Sequence, residues 1–110
     1  MNIEENILKK VYNKLVRDLI PEIIENSGKK CSIEILNCEE YIEAIDAKLD
    51  EELAEYHKDQ KIEELADLLE LVYAAARARG YSVEELESVR VKKAQERGGF
   101  DKRIFLKDVE

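Results

Sequence analysis

Residues 39–79 read EEYIEAIDAKLDEELAEYHKDQKIEELADLLELVYAAARAR, and this stretch decides the fold. In its first half Ile42, Ile45, Leu49 and Tyr56 recur at the three- and four-residue steps of one helix face, and Glu52 occupies the step where another apolar residue belongs. Glu55 stands one turn further along. In the second half Leu68, Leu71, Ala75 and Ala78 mark an apolar stripe, which Glu64 and Asp67 extend toward the helix start. Between the halves, the polar run His57, Lys58, Asp59 and Gln60 reads as a turn. The expectation is two helices, about Glu39–Lys58 and Lys61–Arg79, packed antiparallel so that the pairs Glu52/Glu55 and Glu64/Asp67 meet.

Four carboxylates in a partly dry groove repel one another, and the arrangement is costly unless protons or hard cations neutralise it. Oxygen-only ligation suits magnesium or manganese rather than zinc. The bland alternative is a solvated acidic face. With 26 Asp and Glu among 110 residues, acids three apart also arise by accident on a charged helix.

The length fits one domain, 1–110, able to bury a modest core and helped by dimerisation. A content of 40% charged and 45% hydrophobic residues, with one proline and four glycines, predicts a helix-rich soluble chain. The formal charge of -8 argues against a nucleic-acid polymer as partner, because that binding draws on clustered Lys and Arg. A polyphosphate would be repelled too, unless bound divalent ions reverse the local sign. No apolar stretch is long enough to span a bilayer, and the opening MNIEENILKK lacks the apolar run of a secretory signal, so a cytoplasmic location is expected. Cys31 and Cys38 flank an expected strand that would hold them beyond bridging distance, and both are read as free thiols. His57, the one histidine, is expected at the surface, and with no CxxC there is no zinc cluster to argue for.

Outward from the central pair, YNKLVRDLIPEIIENSG puts Pro21 near the start of a short helix that Gly28 closes, with Leu19, Ile20, Ile23 and Ile24 facing the core. CSIEIL alternates and carries two β-branched isoleucines, the pattern of a short strand. Asn37 then leads into the first long helix. Ser82 followed by Glu85 is a capping box opening a third long helix through about Glu96, with Val83, Leu86, Val89 and Ala94 on its apolar side. Gly98 and Gly99 stop it, and RIFL is expected to pair with CSIEIL in a small sheet at one end of the bundle.

In the order and spacing of YNKLVRDLIPEII, KLDEELAE, EELADLLE and KKAQERGGF, the stretch from Tyr12 to Leu106 resembles the MazG-like, all-α nucleoside triphosphate pyrophosphohydrolases, which include phosphoribosyl-ATP pyrophosphohydrolase-like proteins. That family's metal signature, EExxE followed by ExxD, falls on Glu51, Glu52 and Glu55, then on Glu64 and Asp67. The connection between the two motifs is shorter than in typical MazG domains and is similar to that of a compact house-cleaning subgroup. The resemblance implies a mainly α antiparallel bundle with a small terminal strand pair, working as a homodimer or homotetramer. It implies that Glu52, Glu55, Glu64 and Asp67 hold magnesium, with manganese as a possible substitute, and it makes Glu51, Glu52 and Glu55 the candidate catalytic group. Helix geometry agrees for the pairs, since residues three apart lie about 60° apart round the axis. Glu51 is rotated well away from Glu55, and its role is less secure.

The resemblance further implies that Lys93 and Arg97 contact phosphate. An i, i+4 pair shares a helix face, a guanidinium grips phosphate oxygens through two bonds, and an ammonium adds a point charge. The alternative is that they balance a helix C-terminus. Lys14 and Arg17 form a second basic pair that would reach a triphosphate or a neighbouring subunit, although Asp18 could equally lock Arg17 in a salt bridge. Tyr12 and Asn13 are given no role. Tyr41, Tyr56, Tyr73, Tyr81 and Phe100 are candidates to stack on a base.

The implied activity is magnesium-dependent cleavage between the α and β phosphates of a non-canonical nucleoside triphosphate, giving a monophosphate and pyrophosphate. Two alternatives stand beside it: phosphoribosyl-ATP pyrophosphohydrolase of histidine synthesis, and a non-catalytic helical oligomer that binds a nucleotide or a partner protein.

Overall fold

The computed structural model describes residues 9–110, so most of the opening run read for a leader lies outside the described residues. Four helices follow in order: α1 (Ile20–Asn26), α2 (Cys38–Asp59), α3 (Ile62–Ala78) and α4 (Val83–Arg97). The fold is mainly helical, with bounds within about two residues of those expected from the sequence. No described helix is long and apolar enough to cross a membrane.

Local chemistry accounts for each boundary. Pro21 sits in the first turn of α1, where its missing N–H costs nothing. At the other end Lys29 N–H reaches Ile24 O and Gly28 N–H reaches Glu25 O, a closure that requires the positive φ of 89° at Gly28. Asn37 caps α2 through a reciprocal box: its Oδ1 accepts from Glu40 N–H at 2.9 Å, and Glu40 Oε1 accepts from Asn37 N–H at 3.3 Å. Gln60, at φ 53°, ends α2 in the left-handed region and lets the chain reverse within two residues into α3. Gly80 repeats the closure of α1, with Tyr81 N–H bound to Ala76 O. Ser82 and Glu85 form the expected capping box of α4, and Gly98 ends that helix. Nothing lies within 4 Å of a side chain added at Gly98 or Gly99, and Gly98, at φ 83°, ends α4 as the expected helix stop.

The tight reversal lays α2 and α3 side by side as an antiparallel hairpin, which is the packed heart of the molecule, while α4 touches α3 much more sparingly. Ile45, on the expected seam of α2, is 1% exposed. Ile42, Leu49 and Tyr56 on the same seam, and Leu68, Leu71, Ala75 and Ala78 on α3, are half-buried.

Three expectations are corrected. Neither CSIEIL nor RIFL is a strand, and the described residues contain no strand at all. Ile35 is 87% exposed and Ile104 82%, so the alternation that suggested pairing has no buried face to enforce it, and a lone two-stranded ribbon is marginal in water. Leu19 and Ile23 are exposed, whereas Ile20 and Ile24 are half-buried, because a seven-residue helix presents only one narrow side. Val89 and Ala94 of α4 are likewise exposed, while Val83 and Leu86 near the turn are half-buried. Cys31 and Cys38 are free thiols, and His57 is exposed beside Tyr56.

Candidate functional site

The acids of the hairpin are met by basic side chains from the segment that precedes α1. Asn13 adopts φ 44°, a left-handed conformation that Asn tolerates better than most residues, and it turns the chain over α2 beside Ala44 and Ala47. Lys14 Nζ then donates to Glu51 Oε1 at 2.9 Å on α2, and Arg17 Nη2 donates to Asp67 Oδ1 at 2.7 Å on α3. Arg17 therefore pairs across the fold and not with its neighbour Asp18. The Lys10 and Lys14 ammonium groups stand 4.9 and 5.7 Å from the centre of the Tyr12 ring, which gives Tyr12 a cation–π role in holding this strap.

Within α2, Lys48 Nζ donates to Glu51 Oε1 at 3.3 Å and lies 3.5 Å from Glu52 Oε1. The side chains of Lys48 and Glu52 are largely buried, so this pair is better shielded from water than those of the strap. Lys48 was absent from the sequence-derived site. Its signal was present in the i, i+3 and i, i+4 spacing to Glu51 and Glu52, but such spacing is common on charged helices.

Glu51, whose role was the less secure, is reached by both Lys14 and Lys48. Its hydrogen bond from Lys14, reinforced by that from Lys48, holds its carboxyl below the ordinary 4.5, and the same contact pushes the Lys14 ammonium above the ordinary 10.5.

Glu64 has a different environment. Its Oε2 is sealed from solvent and accepts no hydrogen bond from a described residue. A carboxylate oxygen in that position is energetically expensive unless a proton or cation answers it. Glu55, by contrast, is exposed.

The hairpin thus puts both acid pairs on adjoining helices, yet no three His, Cys, Asp or Glu side chains among the described residues stand close enough together to hold a metal ion. Glu51, Glu52 and Asp67 are engaged by Lys14, Lys48 and Arg17 instead. The donors match a hard divalent cation in kind, being all carboxylate oxygens, and the orphaned Glu64 oxygen is the atom such an ion would satisfy. Lys93 and Arg97 are exposed on α4 and make no ion pair with a described residue, and none joins them to the acids of the hairpin. Of the aromatic candidates, Tyr41, Tyr56 and Tyr73 are half-buried, while Tyr81 and Phe100 are exposed.

Comparison with known proteins adds little chemistry to this geometry. No family model matches the chain, and no solved structure matches it. Over 42 residues the chain is 57% identical to an uncharacterized protein of Mycolicibacterium smegmatis, a match covering 38% of this chain and 43% of that protein. The chain therefore matches less than half the length of this curated relative, whose name carries no activity.

Proposed function

We propose that this helical hairpin is the centre of a divalent-cation-dependent nucleotide pyrophosphohydrolase, which splits a nucleoside triphosphate between the α and β phosphates into a monophosphate and pyrophosphate. The observation that carries the reading is the sealed oxygen of Glu64, unpartnered among the described residues, on a helix packed against the one that carries Glu52 and Glu55. The resemblance of the two acidic motifs to the MazG-like signature supplies the reaction class. Glu52, Glu55, Glu64 and Asp67 would hold magnesium or manganese. When bound, the ion supplies positive charge for phosphate oxygens and acidifies water into the nucleophilic range.

The chain's own residues have separate tasks in this scheme. Arg17 and Lys14 exchange their carboxylate partners for phosphate oxygens, so the strap that spans the acids becomes a clamp on the triphosphate. Glu51, released by Lys14 but still beside Lys48, joins Glu52 and Glu55 as a candidate proton acceptor. Lys93 and Arg97, free on α4, steady the departing pyrophosphate, and Tyr81 or Phe100 offers an exposed ring to the base. The substrate is a nucleotide and the working unit a homo-oligomer in the cytoplasm.

A second reading, a non-catalytic helical module, draws support from the ion pairs themselves, since Lys14–Glu51 and Arg17–Asp67 also serve as latches between the strap and the hairpin. One experiment separates the two. Ordinary and damaged nucleoside triphosphates, with phosphoribosyl-ATP in the panel, are assayed for monophosphate and pyrophosphate with and without magnesium. Metal-dependent pyrophosphate release from any member supports the enzyme and ranks its substrates. Orthophosphate as the sole product refutes α–β cleavage, and no turnover of any member favours the module.

A further inference from the structure

Among the described residues, Lys48 is the one cation of α2 that pairs with acids of its own helix. Its Nζ stands 3.3 Å from Glu51 Oε1 and 3.5 Å from Glu52 Oε1, so a single ammonium bridges two consecutive carboxylates. The side chain of Lys48 is 17% exposed and that of Glu52 15%, against 40% for Lys14 and 36% for Glu51. The shielding comes from the strap, because Lys48 lines the cavity that Asn13, Lys14 and Leu15 form against α2.

The two ammonium groups on Glu51 are therefore held differently. Lys14 reaches it across 37 residues with both side chains open to water, so exchanging that carboxylate for another anion costs little. Lys48 cannot leave with the strap, because it is fixed one helical turn from both of its carboxylates. Nor can it give them up without leaving a poorly hydrated ammonium unpaired, which is strongly unfavourable. Formal charge points the same way. Glu51, Glu52, Glu55, Glu64 and Asp67 carry five negative charges and Lys14, Arg17 and Lys48 three positive ones, and the difference of two is what one divalent cation cancels.

We propose that Lys48 is a permanent internal cation of the hairpin: it takes the place between Glu51 and Glu52 that a second divalent ion would fill, and so limits the nucleotide-free protein to one divalent ion per chain. A hard cation binds carboxylate oxygens at about 2.1 Å, and an ammonium lodged among the same oxygens both fills that space and repels the ion. Lys48 acts here as a positioning residue. It keeps two adjacent like charges compensated when Lys14 turns to phosphate, and it leaves the remaining acids to a single ion. The inference rests on the divalent-cation reading given above and extends it from which acids bind to how many ions they take.

Manganese uptake by the full chain without nucleotide tests it, with the free ion read by electron paramagnetic resonance and folding followed by circular dichroism. Wild type and Lys14→Met are each expected to bind one ion per chain, because both keep Lys48. Lys14→Met combined with Lys48→Met is expected to bind two, and Lys14→Met combined with Lys48→Arg to return to one. Glu51→Gln added to the double methionine variant is expected to remove the second ion. Two ions per chain in wild type or in Lys14→Met overturn the proposal, as does one ion in the folded double methionine variant. Should that variant fail to fold, the first two proteins and the arginine variant still decide, one ion in each supporting the proposal. No uptake by wild type overturns both this inference and the metal-dependent reading beneath it. Triphosphate turnover is scored separately: one ion in wild type and two in the double methionine variant, with no substrate cleaved, keep Lys48 in its role and remove the enzyme.

Discussion

Arg17 and Asp67 stand 50 residues apart in the sequence and 2.7 Å apart in space, joined by a guanidinium–carboxylate hydrogen bond. Three residues before Arg17, Lys14 makes the corresponding contact to Glu51, so one short strap is fastened to both arms of the hairpin. Arg17 thereby occupies Asp67, one of the acids proposed to hold a divalent cation, and several outcomes follow from that competition.

Glu64→Gln replaces a sealed, unpartnered carboxylate oxygen with a neutral amide. Without metal, stability is expected to hold or rise by about 1 kcal/mol, because a poorly answered buried charge is removed. With magnesium, the stabilisation that comes from preferential binding to the folded state is expected to disappear. Thermal unfolding of both proteins with and without magnesium reads both effects. An unchanged magnesium shift in the variant would remove Glu64 from the site.

Arg17→Gln breaks an ion pair whose two side chains are well exposed, so its direct effect on stability is expected to stay below about 1 kcal/mol in urea titrations. Asp67 becomes free, and magnesium affinity measured by calorimetry is expected to rise. Turnover of any triphosphate substrate is expected to fall, because the clamp is lost. A loss of turnover together with weaker metal binding would contradict the competition.

Acid and base should each undo the Lys14–Glu51 latch. Glu51 titrates below its ordinary 4.5, so its contribution is present above that pH and is lost as pH falls through the lowered value. Lys14 titrates above its ordinary 10.5, so its contribution is present below that pH and is lost as pH rises through the raised value. Lys14→Met is therefore expected to be less stable than wild type by a nearly constant margin between these limits, and the two proteins should converge beyond them. Melting temperatures across the pH range make the comparison.

Ile45→Ala removes the one side chain among the described residues that is fully buried, and a cost of about 2–5 kcal/mol is expected. In a protein of ordinary marginal stability that is a large share of the total. Leu53→Ala, on the exposed side of the same helix, is expected to cost far less, and chemical denaturation of the two variants side by side measures the contrast.

The helices were legible because their signals are local. A face repeating every three or four residues, Asn37 and Ser82 as caps, and Gly28 and Gly80 at closures that need positive φ each act within a few residues. The two strands were misread for the complementary reason. CSIEIL and RIFL have the right alternation, but alternation becomes a strand only where a sheet buries one face, and nothing local supplies that sheet. The acid pairs were legible as a pattern, while their partners were not. Lys48 was overlooked among ordinary helix charges, and Asp18 competed on equal terms with Asp67 for Arg17 because sequence distance favours the neighbour.

By itself, then, the sequence determined the four helices among the described residues and the two acidic motifs on the central pair, since propensity, capping and periodicity operate over a turn or two of backbone. Tertiary structure alone decided that Lys14 and Arg17 close over those motifs and that Glu64 keeps a sealed oxygen unanswered among the described residues. Those outcomes depend on which surfaces meet when α2 and α3 pack, and a contact across 50 residues has no local signature.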